Sequence, residues 1–212
     1  WDEGLSLVSL QFAGDIAGEN RWSSVLTKGV DLPGGGWTTR EGFKDFKAAI
    51  QEAWDEKKRI IDVSYGEGKW VLVYGNTTEL KQQEWRSSTN WNNDVLPWIK
   101  DKWNAGLRIT AVTRGGPIGQ TWFVVMSQNP HISLQRVAWQ RHETMKQFVE
   151  EQRSQEKQIT TVFDDSANDK DLPYLVVCSK VAAESKLFAP TVPEDKPFTD
   201  TPDCVWDIFH DY

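Results

Sequence analysis

A tryptophan-led unit of about 50 residues recurs along this chain, and nothing else in the sequence constrains the fold as tightly. Trp54-Asp55-Glu56-Lys57-Lys58-Arg59-Ile60-Ile61-Asp62-Val63 aligns with Trp103-Asn104-Ala105-Gly106-Leu107-Arg108-Ile109-Thr110-Ala111-Val112 at an offset of 49 residues. An earlier copy opens at Trp1, and a degenerate later one runs through Gln158-Ile159-Thr160-Thr161-Val162. Each opening is followed by an apolar run led by an aromatic, at Trp22, Trp70, Trp122 and Tyr174, which reads as a second strand. A third aromatic landmark follows at Trp37, Trp85, Trp139 and Phe188, in short segments read as a third strand or loop.

A helical pattern closes each unit. Phe43, Phe46, Ile50, Ala53 and Trp54 fall at helical spacing in the first, Met145, Phe148 and Val149 in the third, and Val205, Ile208, Phe209 and Tyr212 in the last. In the second, Asn93 or Asp94 is the expected cap, Pro97 sits in the first turn, and Val95, Trp98, Ile99 and Trp103 form the buried stripe. The units run approximately over residues 1–53, 54–102, 103–152 and 153–212, within one domain. The expected fold is β-rich α+β: four tandem strand-strand-(strand)-helix repeats arranged like the blades of a small propeller, with an open stacked array as the alternative. All 15 glycines precede residue 120, so the last copy has lost its turn punctuation, as a capping unit does.

Nine of the 12 tryptophans recur at three equivalent positions and read as packing between neighbouring units, since one such ring buries roughly 150–250 Å². Trp91, in the polar stretch Ser87-Ser88-Thr89-Asn90-Trp91-Asn92-Asn93, stands outside that pattern as a candidate partner anchor, with packing of its own loop as the competing reading.

The motif W-x-x-G-x-R-I-T-x-V followed by W-x-V-V-M-S, from Trp103 to Ser127, resembles the tandem repeats in the C-terminal region of plant casein kinase I-like nuclear kinases. Similar repeats are known in bacterial and algal proteins of undefined function. The resemblance is strongest from Trp54 to Ser127 and fades after Arg153. It implies a partner-binding module without catalysis, because no H-R-D or D-F-G motif is present to carry phosphotransfer.

Charge and chemistry point the same way. The net charge of −7 supplies no positive field for nucleic acid. Residues 164–212 hold 11 acidic side chains against 4 lysines, which accounts for the whole excess. Cys178 and Cys204 read as buried thiols in an intracellular, reducing compartment: cytoplasm, nucleus, or an organelle after removal of a transit peptide. No apolar run approaches the roughly 20 residues that cross a bilayer, so membrane association would come only through a partner. His131, His142 and His210 lack metal-ligand spacing, Gly34-Gly35-Gly36 and Gly66-Glu67-Gly68 read as turns, and no metal, cofactor or catalytic residue is expected.

The expected role is a non-catalytic protein-interaction scaffold or adaptor. One alternative is a peripheral accessory subunit of a large organellar or membrane-associated assembly such as an algal photosystem; another is a small-ligand-binding or enzymatic domain. Candidate partner-binding residues are those that break the repeat. They are Asp15 and Arg21 in the insertion at 15–21, Trp91, Arg114 in the stretch 114–120, Asp164 and Asp165 in the acidic stretch 164–171, and Phe198 in the Pro-rich acidic connection 189–203. Asp164 and Asp165 are expected in a solvated loop between two strands.

Overall fold

The computed structural model describes residues 5–16, 19–28, 30, 32–116, 121–165 and 171–187, with backbone alone at 13–21 and 28. The last helical pattern, Trp1, Phe188, Phe198 and Cys204 lie outside the described residues.

The first unit gives β1 (Leu5–Ile16), β2 (Glu19–Lys28), β3 (Gly36–Arg40) and helix α1 (Phe43–Asp55). The second gives β4 (Arg59–Gly66), β5 (Lys69–Gly75), β6 (Gln83–Ser88), a π-helical turn at Trp91–Val95 and α2 (Leu96–Asn104). The third gives β7 (Leu107–Gly115), β8 (Thr121–Gln128), β9 (Ile132–Gln140) and α3 (His142–Ser154), and the fourth opens with β10 (Gln158–Asp164) and β11 (Tyr174–Val181). Every third-strand landmark among the described residues is therefore a strand.

The strands form four small antiparallel sheets, and these cut across the sequence units. The third strand of one unit pairs with the second strand of the next: β3 with β5, β6 with β8, β9 with β11. The sheets are thus β1-β2, β3-β5-β4, β6-β8-β7 and β9-β11-β10, each successive unit interlocked with its neighbour. The opening strands β1, β4, β7 and β10 lie next to one another in that order. Each carries its ladder irregularity at the same place, between Leu7 and Ser9, Ile60 and Asp62, Ile109 and Ala111, and Ile159 and Thr161. A bulge repeated at one position fixes the register of each hairpin and hence which residues face each neighbour.

Helices fill the space between sheets. Phe46, Ala49, Ile50 and Ala53 of α1 pack against Trp70 and Leu72 of β5 on one side and Phe123 and Val125 of β8 on the other. The π-turn and α2 do the same between Trp122, Val124 and Met126 of β8 and Leu175 and Val177 of β11. Central strands β5, β8 and β11 are consequently buried on both faces, which explains why they read as unbroken apolar runs instead of alternating ones. On α3, Met145 and Phe148 pack on the Val176 and Cys178 face of the last sheet.

Four sequence expectations change. Neither Asn93 nor Asp94 caps the second helix: α2 follows Val95 with no side-chain cap, and the capping side chain is that of Asn90, which accepts from the Asn93 backbone N–H at the start of the π-turn leading into α2. Trp139 is not the register equivalent of Trp37 and Trp85: those pair with Val73 and Val125, whereas Val177 meets Val137 and Trp139 sits two residues further on. Trp37, expected in the packing between units, is half exposed. Within the insertion 15–21, Asp15, Ile16, Glu19, Asn20 and Arg21 belong to the paired strands β1 and β2, which make a long hairpin.

Candidate functional site

Because β1, β4, β7 and β10 run alike and adjacent, the tips of their hairpins emerge at one end of the array. A repeated stack links these tips. Phe12 of β1 lies over Gly66 at the end of β4, where an added Cβ would come within 2.2 Å of the Phe12 ring. Tyr65 covers Gly115 of β7 in the same way, at 2.1 Å. At the third junction the pattern changes chemistry: Arg114 of β7, in register with Phe12 and Tyr65, ion-pairs with Asp165 at 2.6 Å. Each of these side chains also rests on the aromatic that opens its partner strand, Phe12 on Trp22, Tyr65 on Trp70, and the Arg114 guanidinium 5.0 Å over Trp122.

Three of the tips depart from the minimal turn. The β4-β5 turn is Glu67-Gly68, both at positive φ, which is the geometry a two-residue hairpin demands. By contrast, the first hairpin is prolonged past Phe12 to Ile16, and longer connections join β7 to β8 and β10 to β11. Those are the three stretches that the repeat alignment marks as irregular.

The structure brings together most of the sequence-predicted residues at this end. Asp15 and Arg21 belong to the paired backbone of the first hairpin, opposite Asn20 and Gly14. Arg114 and Asp165 meet each other, and Asp164 ends β10 opposite Tyr174. Asp165 is 2% exposed, not solvated, because the Arg114 guanidinium neutralises it. Trp91 also lies at the tip end but is not an exposed ring: it is 8% exposed and packs on Trp122 and Trp139 at 4.8 and 6.0 Å. Phe198 lies outside the described residues.

At the opposite end of the strands is a second repeated device that sequence reading missed. The carboxamide of Gln83, at the start of β6, bridges to β4 of the preceding sheet. Its Oε1 accepts from the Ile60 backbone N–H (2.8 Å) and Trp54 Nε1 (3.1 Å), while its Nε2 donates to the Ile60 carbonyl (2.8 Å) and Ser127 Oγ (2.8 Å). Gln135 repeats every contact with Ile109, Trp103 and Ser179. Both donors and both acceptor positions of each amide are satisfied. Spacing conceals the pair, because Gln83 stands 29 residues beyond Trp54 and Gln135 stands 32 beyond Trp103, so the two glutamines do not align at a fixed offset.

The first junction lacks this clasp and uses a buried carboxylate. Asp62 Oδ2 accepts from Ser9 Oγ (2.7 Å), the Leu10 backbone N–H (3.1 Å) and Gln11 Nε2 (2.8 Å), all on β1, and Oδ1 accepts from the Val63 N–H (2.9 Å). Burial pushes Asp62 up to about 6 in spite of these four donors. Cys178, a buried free thiol, is likewise pushed up to about 11 by burial. Among the described residues there is no group of three or more His, Cys, Asp or Glu arranged to hold a metal ion, and no helix long and apolar enough to cross a membrane.

The model of a family described as a domain of unknown function, DUF7477, matches residues 2–171. The chain belongs to this family. The match spans the first three repeat units and β10 with the connection after it and ends before β11, so the first three sheets, the Gln83 clasp and the Asp62 junction fall within the DUF7477 region. No curated protein and no solved structure matches the chain.

Proposed function

We propose that the chain is a non-catalytic interaction scaffold, a propeller-like array of interlocked sheets that docks a protein partner on its hairpin-tip end. The observation that carries this reading is the separation of constant and variable parts. The Gln83 and Gln135 clasps repeat contact for contact and the bulge recurs at one position in every hairpin, while the tips of the first, third and fourth hairpins each depart from the minimal turn of the second. Side chains on rigid strands with variable loops at one end are the arrangement by which repeat folds present binding surfaces. Arg114 and Asp165 act in this reading as supports that hold two variable tips together, and Asp15, Arg21 and Asp164 as groups available to the partner. The resemblance to the repeats of plant casein kinase I-like kinases favours a module that recruits over one that reacts.

The test is chemical crosslinking with mass spectrometry in a lysate of the source, comparing the native chain with one whose first hairpin tip is shortened to the two-residue turn of the second. A partner that contacts residues 13–21 in the native chain and is lost from the shortened one supports the reading. Retention of the same crosslinked partner elsewhere on the surface counts against it.

A further inference from the structure

Past Val181 the chain leaves β11 and crosses the base of the array, the end opposite the hairpin tips. The Ala182 N–H donates to the His131 carbonyl (2.8 Å) in the connection between β8 and β9, and a turn closed by the Ser185 N–H on the Ala182 carbonyl (3.0 Å) redirects the backbone. The segment then meets the connection between β5 and β6. Glu79 Oε2 accepts from Ser185 Oγ (2.7 Å), and Glu79 Oε1 accepts from the backbone N–H groups of Lys186 (2.7 Å) and Leu187 (3.3 Å). Leu187 packs against the cluster formed by Val30 and Leu32 of the first unit and Ile61, Val73 and Leu80 of the second.

What sets this segment apart is which units it joins. Other backbone bonds between the connections at this end link neighbours: the Asn76 N–H to the Pro33 carbonyl, the Lys81 N–H to the Gln128 carbonyl and the Gln128 N–H to the Gln82 carbonyl. The glutamine clasps, the Asp62 contacts and the Arg114–Asp165 pair also span one junction each. Residues 182–187 skip a unit and tie the fourth back to the second and first. Where repeats touch only their neighbours, small rotations at successive junctions add up and the two ends move relative to one another. A contact between units that are not neighbours removes that freedom.

The receiving side is preformed. The Glu79 N–H donates to Thr77 Oγ1 (3.2 Å), a local turn that holds its backbone, and the adjacent Leu80 is 1% exposed. The arriving side is lightly held. Ala183, Glu184 and Lys186 are exposed, so attachment rests on one carboxylate and the Leu187 side chain. Charge-assisted bonds of this kind are strong individually, but a segment with so few buried contacts opens at a lower free energy than the sheets around it.

We propose that residues 182–187 are a strap that fixes the curvature of the array from its base, with the Glu79 carboxylate as its latch, and that the strap opens locally while the sheets stay folded. Curvature sets the spacing of the hairpin tips at the other end, so the strap preorganises the face assigned above to a partner. That consequence rests on the docking reading, whereas the test below reads the strap alone.

The full-length native chain is compared with Glu79→Ala, which removes the latch, and with Lys186→Pro, which removes one donated N–H at an exposed position and leaves Glu79 in place. Hydrogen exchange by NMR reads the latch: the Lys186 and Leu187 amides exchange slowly in the native chain and about tenfold or more faster in Glu79→Ala, with β7 and β8 unchanged, and the Leu187 amide follows in Lys186→Pro. Spin-label distances read the curvature, between Lys44→Cys on α1 and Lys146→Cys on α3, both exposed, in a Cys204→Ser background where Cys178 stays buried. The native chain gives one narrow distribution and both latch variants broaden it. Fast exchange at 186 and 187 in the native chain, or slow exchange that survives Glu79→Ala, overturns the latch. A distance distribution unchanged by a released strap overturns its hold on curvature. Loss of β7 and β8 protection in both variants overturns the proposal too, because the segment would then belong to the folding core.

Discussion

The stacking of one strand's side chain on the next strand's glycine makes a quantitative demand on Gly115. An alanine there would place its Cβ 2.1 Å from Tyr65 Cγ, 2.5 Å from Tyr65 Cβ and 2.6 Å from Cδ1. Comfortable carbon contacts begin near about 3.5 Å, so more than about 1 Å of separation is needed. Rotating the ring does not supply it, because Tyr65 Cβ is fixed by the backbone of β4 and its ring is held against Trp70 at 4.9 Å. The two strands must part, and Gly115→Ala should cost about 2–3 kcal/mol, the upper part of the range for overpacking. Urea unfolding followed by tryptophan fluorescence gives the number, and a double-mutant cycle gives its cause. Tyr65→Gly removes the obstructing Cβ as well as the ring, so on that background Gly115→Ala should cost less than about 1 kcal/mol. A single variant within about 0.5 kcal/mol of the native chain, or costs that simply add in the double variant, would refute the stacking argument.

Other perturbations read other junctions. Trp70→Ala removes a ring that is 1% exposed between α1 and two sheets, and should cost about 3–5 kcal/mol in the same urea assay. Gln135→Met keeps the volume but strips the Ile109 N–H and carbonyl, Trp103 Nε1 and Ser179 Oγ of a shared partner, for a loss of about 3 kcal/mol by thermal or urea unfolding. Asp62 gives a pH signature. Its folded carboxyl titrates at about 6 against 3.8 unfolded, so between those values the folded state holds more protons and stability falls as pH rises. The native chain should therefore lose about 3 kcal/mol relative to Asp62→Asn between pH 3.5 and 7, and a flat difference across that range would remove the carboxylate from the account.

Much of this architecture is legible because repetition converts single residues into patterns. Trp70 and Trp122, the bulge-flanking isoleucines and the α1 stripe all announce themselves by recurring, and each lands where the recurrence places it. What stayed hidden depends on contacts between units. Nothing local tells β3 to leave β2 and join β5, since strand pairing is decided by which apolar faces the helices leave open. Trp91 reads as exposed from its polar neighbours, yet the π-turn swings it under Trp122, a backbone detail that side-chain periodicity does not encode. Arg114 and Asp165 each look like surface charges. Their pairing appears only once β7 and β10 are adjacent and the positions held by Phe12 and Tyr65 are seen to be reused for an ion pair. Asp62 departs from the alanine at the equivalent position of the next unit, and that departure was its visible signal.

The central claim is that the hairpin-tip end is a protein-docking face, and its most direct test is the native size of the chain in a lysate of its source, measured beside a variant carrying the shortened first tip. The account predicts that the native chain fractionates with a larger assembly, that crosslinks to that assembly map to residues 13–21, 114–120 and 164–171, and that the shortened variant migrates alone while retaining its unfolding midpoint. Co-fractionation unchanged by tip shortening, or migration of the native chain as a free monomer, would contradict it.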